Sequence, residues 1–203
     1  MIIKEYKTIF IHIPKNAGTS INTYFLGEPA EIEIRGKKAF KHETIKDVKR
    51  DYSKIYNSYT KFAIIRNPYE RMVSWYSYLR KYRLDNDNIK TYQYNTKNNS
   101  YEVAEIAKAD IMGFRLWMKN PIILDPREWL LNNQCYWIDK TVVLLRFENL
   151  NVELSNFIGK EINLPITNAT SKYDTLDYYD EETLSIVNNK YAEDFEKFNY
   201  KKL

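Results

Sequence analysis

One lysine set among small residues is the part of this chain best suited to chemistry. It lies in Phe10-Ile-His-Ile-Pro-Lys-Asn-Ala-Gly-Thr-Ser-Ile21, where an apolar strand pattern gives way to a tight turn and then to a helical pattern. Backbone N–H groups in such a turn and at a helix start point outward, the helix dipole favours negative charge, and Lys15 adds a full positive charge. The segment therefore suits a phosphate-like anion held by Lys15, Asn16, Ala17, Gly18, Thr19 and Ser20. Small side chains at Ala17 and Gly18 let a ligand come close to the backbone. In the nucleotide-triphosphate loop the lysine follows the last glycine and directly precedes Ser or Thr. Here Lys15 comes before Gly18, so a different nucleotide is expected.

A second constellation occupies Phe62-Ala-Ile-Ile-Arg-Asn-Pro-Tyr-Glu-Arg-Met-Val-Ser-Trp-Tyr76. Arg66 falls where a strand pattern ends. Ser74 lies about two helical turns beyond Asn67, off the apolar stripe of Met72, Trp75, Tyr76 and Leu79. An arginine at a strand's carboxyl edge with an in-phase hydroxyl can hold another anion, because ligands of open α/β sheets lie outside those edges. Taken alone, the two residues read more simply as an ion-pair partner and a solvated serine.

The elements that must position these groups are visible in the hydrophobic pattern. Runs at 8–13, 62–65 and 141–145 read as buried parallel strands. Ile21, Tyr24 and Phe25 form a helical stripe closed by Gly27. Ile45, Val48 and Tyr52 form another behind a capping-box-like Thr44 and Asp47. The stripe from Met72 to Leu79 has Asn67 as N-cap and Pro68 at the first helical position. Val103, Ile106, Ala107, Phe114 and Trp117 suggest a long helix ending before Pro121. Leu184, Val187, Tyr191 and Phe195 follow Asp180 as cap. Strands alternating with helices predict an α/β fold: a P-loop-like three-layer domain, with a central, mainly parallel sheet flanked by helices, over residues 1–203 as one domain. Tyr24, Tyr76 and Tyr191 are expected in its core. Residues 81–100 are polar and lack a clear period, which fits either a disordered insertion or a loop shaped for substrate.

Composition sets wider bounds. Hydrophobic residues make up 44% of the 203, so the chain is no disordered polymer. A net charge of +4 and a pI near 8.8 are compatible with polyanionic partners and equally ordinary for soluble proteins. The single cysteine, Cys135, excludes an internal disulfide framework. The charged start shows no signal-peptide pattern and no long apolar run appears, so a soluble cytoplasmic protein is expected.

The two motifs together resemble the sulfotransferase superfamily that uses 3′-phosphoadenosine 5′-phosphosulfate (PAPS), above all the branch of carbohydrate 2-O-sulfotransferases and their small bacterial relatives. FIHIPKNAGTSI resembles that branch's 5′-phosphosulfate loop and FAIIRNPYERMVSWYSYL its 3′-phosphate motif. LLRFENL, NATSKYD and YAEDFEKFNY follow in order. Asn16 stands where the family commonly has threonine. The resemblance implies a 5′-phosphate held by Asn16 to Ser20, with Lys15 stabilising charge on the leaving oxygen. It implies a 3′-phosphate held by Arg66 and Ser74, and closure over the nucleotide by Thr170, Ser171 and Lys172. PAP (3′-phosphoadenosine 5′-phosphate) would be the product, the acceptor a carbohydrate hydroxyl, and no metal is required.

A hydroxyl acceptor calls for a general base. Of the two histidines, His12 sits in the first strand pattern between Ile11 and Ile13 and reads as a packed structural residue. His42, in Phe40-Lys-His-Glu-Thr44, would alone read as solvated surface. The resemblance places the catalytic base in such a Lys-His-x-Thr segment, with Glu43 as the nearest alternative. Arg35, Lys37, Lys38 and Lys41 around it form either a solvated basic face or a surface that attracts an anionic acceptor. The 18 tyrosines fit sugar stacking or a composition bias. Two other functions fit parts of the pattern: an ATP-dependent small-molecule kinase, and a non-catalytic nucleotide-binding module. No groove-reading or base-stacking motif points to nucleic acid.

Overall fold

A computed structural model of the chain describes residues 1–27, 33–34, 37–38, 42–79, 110–119, 128–165 and 174–203. Contacts divide the chain into two compact units, Met1–Arg66 with Asn133–Ala169, and Asn67–Asn132 with Thr170–Leu203.

The first unit is α/β. Its sheet has the order β1 (Ile2–Ile3), β2 (Thr8–Ile11), β5 (Thr60–Ile65), β6 (Val142–Arg146); a separate two-stranded ribbon joins β3 (Glu33–Ile34) to β4 (Lys37–Lys38). β1 runs antiparallel to β2, whereas β2–β5 and β5–β6 are parallel, with Ile11 opposite Ala63 and Ile65 opposite Arg146. Its helices are α1 (Gly18–Leu26), α2 (Ile45–Asp51), α3 (Ser53–Tyr56) and α6 (Leu150–Ile158).

Alternation decides what each strand residue meets. Phe10, Phe62, Ile64 and Leu145 form one core cluster with Ile21 of α1 and Leu154 of α6, and Phe25 and Phe157 pack against it. Ile9, Ile11, Ala63 and Ile65, on the opposite face, are buried as well, as two-sided parallel sheets require. Truncating Leu154 to alanine at such a site costs about 2–5 kcal/mol. The third predicted strand departs from the expectation of full burial. β6 is an edge strand, and Val143 and Leu144 are 41% and 37% exposed. The first strand ends at Ile11, so His12 and Ile13 leave the ladder.

α1 ends as predicted at Gly27, which adopts φ 71° and donates its N–H to Thr23 O. Tyr24 is not a core residue: it is 37% exposed and meets Phe25 edge-on. Ile21 and Phe25, one turn apart, hold the centre of the stripe, which leaves Tyr24 at its rim.

The second unit is helical among its described residues: α4 (Pro68–Leu79), α5 (Asp110–Lys119), α7 (Glu181–Lys190) and α8 (Ala192–Lys197). Asn67 Oδ1 accepts the Tyr69 N–H at 3.0 Å, the predicted cap, with Pro68 opening α4. Aromatic side chains fill the interior: Phe114 lies edge-on to Tyr178 and Tyr179, and Tyr76 tilts against Trp117. Tyr76 and Tyr191 are buried as expected. The final stripe is two helices rather than one, because Tyr191 leaves helical geometry (φ −111°, ψ 25°) between α7 and α8. The guanidinium of Arg71 is buried and donates to Asn132 O (3.0 Å) and Leu130 O (3.2 Å), and desolvation pushes its pKa down. The expected segment at 103–109 and the polar stretch 81–100 lie outside the described residues. Among the described residues no helix is long and apolar enough to cross a membrane.

Candidate active site at the carboxyl edge of the sheet

β2 and β5 are parallel, so the turn after one and Arg66 after the other emerge at the same sheet edge. In the turn, Lys15 (φ 67°) and Ala17 (φ 57°) both adopt left-handed backbone on either side of Asn16. Each costs of order 1–2 kcal/mol. Left-handed residues of this kind also build anion-binding nests, although here the Asn16 N–H between them is turned to Ile13 O. α1 then starts with Ala17 as its N-cap and no side-chain cap. The first-turn N–H groups of Gly18 and Thr19 thus have no intrahelical carbonyl to serve. Lys15, Thr19 and Ser20 are half-buried.

Gly18 has an internal reason to be small. A Cβ there would sit 1.7 Å from Nε2 of His12, which is buried beneath the helix start and stacks on Phe10 with ring centroids 5.6 Å apart. His12 is the packed residue its strand position predicted. The sequence reading had attributed the small residue to ligand approach alone; the imidazole underneath imposes it independently.

Arg66 is held at both ends. Its backbone N–H donates to Gln134 Oε1 and its carbonyl accepts from Gln134 Nε2, each at 2.9 Å. Its guanidinium lies 4.0 Å from the centre of the Phe147 ring, and Nη1 reaches Lys15 O at 3.4 Å. The stacking leaves the planar fork oriented, as bidentate anion recognition needs. Asn16 does not present its side chain outward. Fully buried, it donates from Nδ2 to Ile64 O and to Gln134 Oε1, each at 2.6 Å. Its own N–H is directed to Ile13 O at 3.3 Å.

His42 precedes α2 and comes back to the same turn. Its Nδ1 lies 3.0 Å from His12 O, its ring centroid 4.3 Å from that of His12, and the indole of Trp137 closes on it edge-on at 6.1 Å. A carbonyl oxygen can only accept, so Nδ1 carries a proton; in the neutral ring the lone pair is then on Nε2, the tautomer a base requires. Glu43 is turned elsewhere. Tyr52 OH donates to its carboxylate at 3.5 Å. Burial pushes that carboxyl up, opposed by the Met1 ammonium. Thr44 caps α2, with reciprocal bonds to Asp47.

The structure thus brings together the turn 15–18, Arg66 and His42. Ser74 is a half-buried residue of α4 in the second unit. Thr170, Ser171 and Lys172 lie outside the described residues, as do Arg35 and Lys41; Lys37 and Lys38 belong to β4, whose side chains are not described. Sequence reasoning missed Gln134 and Phe147. Phe147 stands inside the recognised LLRFENL segment, but Gln134, in Asn-Asn-Gln-Cys, carries no local pattern. Among the described residues no three His, Cys, Asp or Glu side chains gather as a metal group.

Comparison with known proteins places this edge in a lineage. The model of the sulfotransferase family matches residues 1–135, which include the turn, His42, Arg66 and Gln134. Neither the curated proteins nor the solved structures return a match. Two thirds of the chain thus fits one family description in order, and the chain belongs to the sulfotransferase family.

Proposed function

We propose that this protein transfers the sulfuryl group of PAPS to a hydroxyl of a carbohydrate acceptor, with His42 as general base. The observation that carries the reading is the pairing of two cationic side chains at one sheet edge, Lys15 on the turn before the uncapped α1 and Arg66 stacked on Phe147, linked through Lys15 O. Two anion sites held this way suit a nucleotide phosphorylated at both ends of its ribose. When bound, that donor supplies an activated sulfuryl group.

The chain's own groups then divide the work. The N–H groups of Ala17, Gly18 and Thr19 hold the 5′-phosphate. Lys15 neutralises charge growing on the oxygen that leaves with PAP, where electrostatic stabilisation counts most. Arg66 takes the 3′-phosphate. His42 Nε2 accepts the proton that the acceptor hydroxyl loses as its oxygen bonds to sulfur and the bond from sulfur to the 5′-phosphate oxygen breaks. Ser74 as a further 3′-phosphate donor, and Thr170, Ser171 and Lys172 as closing residues, rest on the family's motifs. The basic run Arg35, Lys37, Lys38 and Lys41 favours an anionic sugar as acceptor.

Calorimetric titration of the protein with PAP and with ATP tests the donor, and PAP is expected to bind more tightly. Preference for ATP would replace this reading with a kinase. Transfer from labelled PAPS to candidate glycans, read by mass spectrometry, then tests acceptor and base. His42→Ala is expected to lose about 10²–10⁴-fold in turnover while PAP binding persists; unchanged turnover would move the base elsewhere.

A further inference from the structure

Gln134 and Asn16 are the two buried polar side chains that join the turn to Arg66; Asn16 was expected among the 5′-phosphate ligands, but its side chain and its N–H both face inward. Both amides are fully buried, so neither touches a ligand. Past the last register pair of β5 and β6, Ile65 with Arg146, the Gln134 side chain serves both the N–H and the carbonyl of Arg66. It holds that residue as a further strand would. Gln134 Oε1 also accepts from Asn16 Nδ2, whose second bond goes to Ile64 O.

The polarity of this chain of amides is unambiguous. Asn16 faces two acceptors, which only its nitrogen can serve; Gln134 Oε1 faces two donors and Nε2 one acceptor. The arrangement comes at a cost, since Asn16 Oδ1 is buried with no hydrogen-bond partner among the described residues, a state worth about 1–3 kcal/mol of destabilisation. Asn16 also sits between the two left-handed residues Lys15 and Ala17. Whatever fixes Asn16 therefore fixes the backbone from which Lys15 and the start of α1 project.

We propose that Gln134 and Asn16 are positioning residues that set the spacing between the turn and Arg66, and so the preference for a nucleotide carrying both a 5′- and a 3′-phosphate. The proposal rests on the donor reading above. It assigns selectivity to residues that contact no ligand: the turn alone binds any 5′-phosphate, and the amide couple holds Arg66 where a 3′-phosphate can reach it at the same time.

The test compares calorimetric affinities for PAP and for AMP, which lacks the 3′-phosphate, in the wild type, Gln134→Met and Asn16→Thr. Methionine keeps the size of glutamine and removes the bonds to Asn16 and Arg66. Threonine's single hydroxyl proton serves one of the two carbonyls and leaves the Arg66 clamp intact. The ratio of PAP to AMP affinity is expected to fall at least tenfold in Gln134→Met and by a smaller factor in Asn16→Thr. A purely structural role would lower the melting temperature and leave that ratio unchanged, which overturns the proposal; if Gln134→Met does not fold, an unchanged ratio in Asn16→Thr does the same. A wild type that fails to prefer PAP over AMP sinks the donor reading and the selectivity role together, whereas preference in the wild type that survives both substitutions sinks the couple alone.

Discussion

The start of α1 and the starts of α2 and α7 solve the same problem in opposite ways. At α2, Thr44 Oγ1 accepts the Asp47 N–H and the Asp47 carboxylate accepts the Thr44 N–H. At α7, Asp180 and Thr183 make the same reciprocal pair, each bond 2.9 Å. Side chains close both ends. α1 has only Ala17 in that place, and its geometry is kept by other means: a buried imidazole below Gly18 and a buried amide behind Lys15. α3, α6 and α8 also start without a side-chain cap, so what sets α1 apart is the buried support behind it together with Lys15 in the turn, and this is the start to which the proposed function gives the 5′-phosphate.

The largest expected effect follows from removing the charge at the open end. Lys15→Ala is expected to lower PAPS turnover about 10²–10³-fold, the range for deleting one transition-state stabiliser, with the melting temperature unchanged. The same substitution at Lys46, an exposed residue in the first turn of α2, should leave turnover alone; equal losses at both sites would erase the distinction. Next comes closing the open end. Ala17→Asp fits the left-handed backbone, which aspartate tolerates, and puts a carboxylate where the dipole favours one. Thermal stability should change little, the gain from the dipole being offset by lost packing of Ala17 against the core cluster. PAP affinity should fall about tenfold or more, since like charges at contact repel by about 1–4 kcal/mol. Affinity that survives would mean that the anion does not sit at this helix start.

Support from behind is tested by Gly18→Ala. The added methyl meets the His12 ring, and overpacking of this kind costs about 1–3 kcal/mol in urea denaturation. Combined with His12→Ala, the penalty at position 18 should largely vanish. Strictly additive effects of the two substitutions would show that the imidazole is not what demands glycine there.

Features written in local sequence were legible. The caps at Thr44, Asn67 and Asp180, the stop at Gly27 and the packed His12 all follow from neighbours within a few residues, and the structure has each of them. The three predicted strands are present too, parallel to one another. What was missed depends on distant chain. A continuous apolar run looks the same in a central and in an edge strand, so Val143 and Leu144 were read as buried. Helical periodicity cannot separate the middle of a stripe from its rim, hence Tyr24. Asn16 meets Gln134 across 118 positions, and nothing in the local composition of either announces the pair. The turn between strand and helix was legible; the buried amides that hold it were not.

The smallest effect belongs to a sealed end, and it carries a pH signature. At Asp180 the Thr183 N–H, then the Thr183 hydroxyl, hold the carboxyl below its ordinary pKa, with Arg115 adding to the effect. An acid whose folded pKa is depressed contributes stability that is present above its unfolded value, about 3.9, and lost as pH falls through the folded one. Asp180→Ala should therefore cost about 1 kcal/mol at neutral pH, and the gap from wild type should close as the pH is lowered below about 4. Asp180→Asn keeps an acceptor for the Thr183 N–H but cannot titrate, so its stability should fall less steeply than the wild type's over the same acid range. Urea denaturation at pH 7 and pH 3 measures both. At neutral pH neither substitution should change PAP affinity, because Glu181 and Glu182 in the first turn of α7 repel an anion; a loss of PAP binding in Asp180→Ala would break the division between the two kinds of helix start.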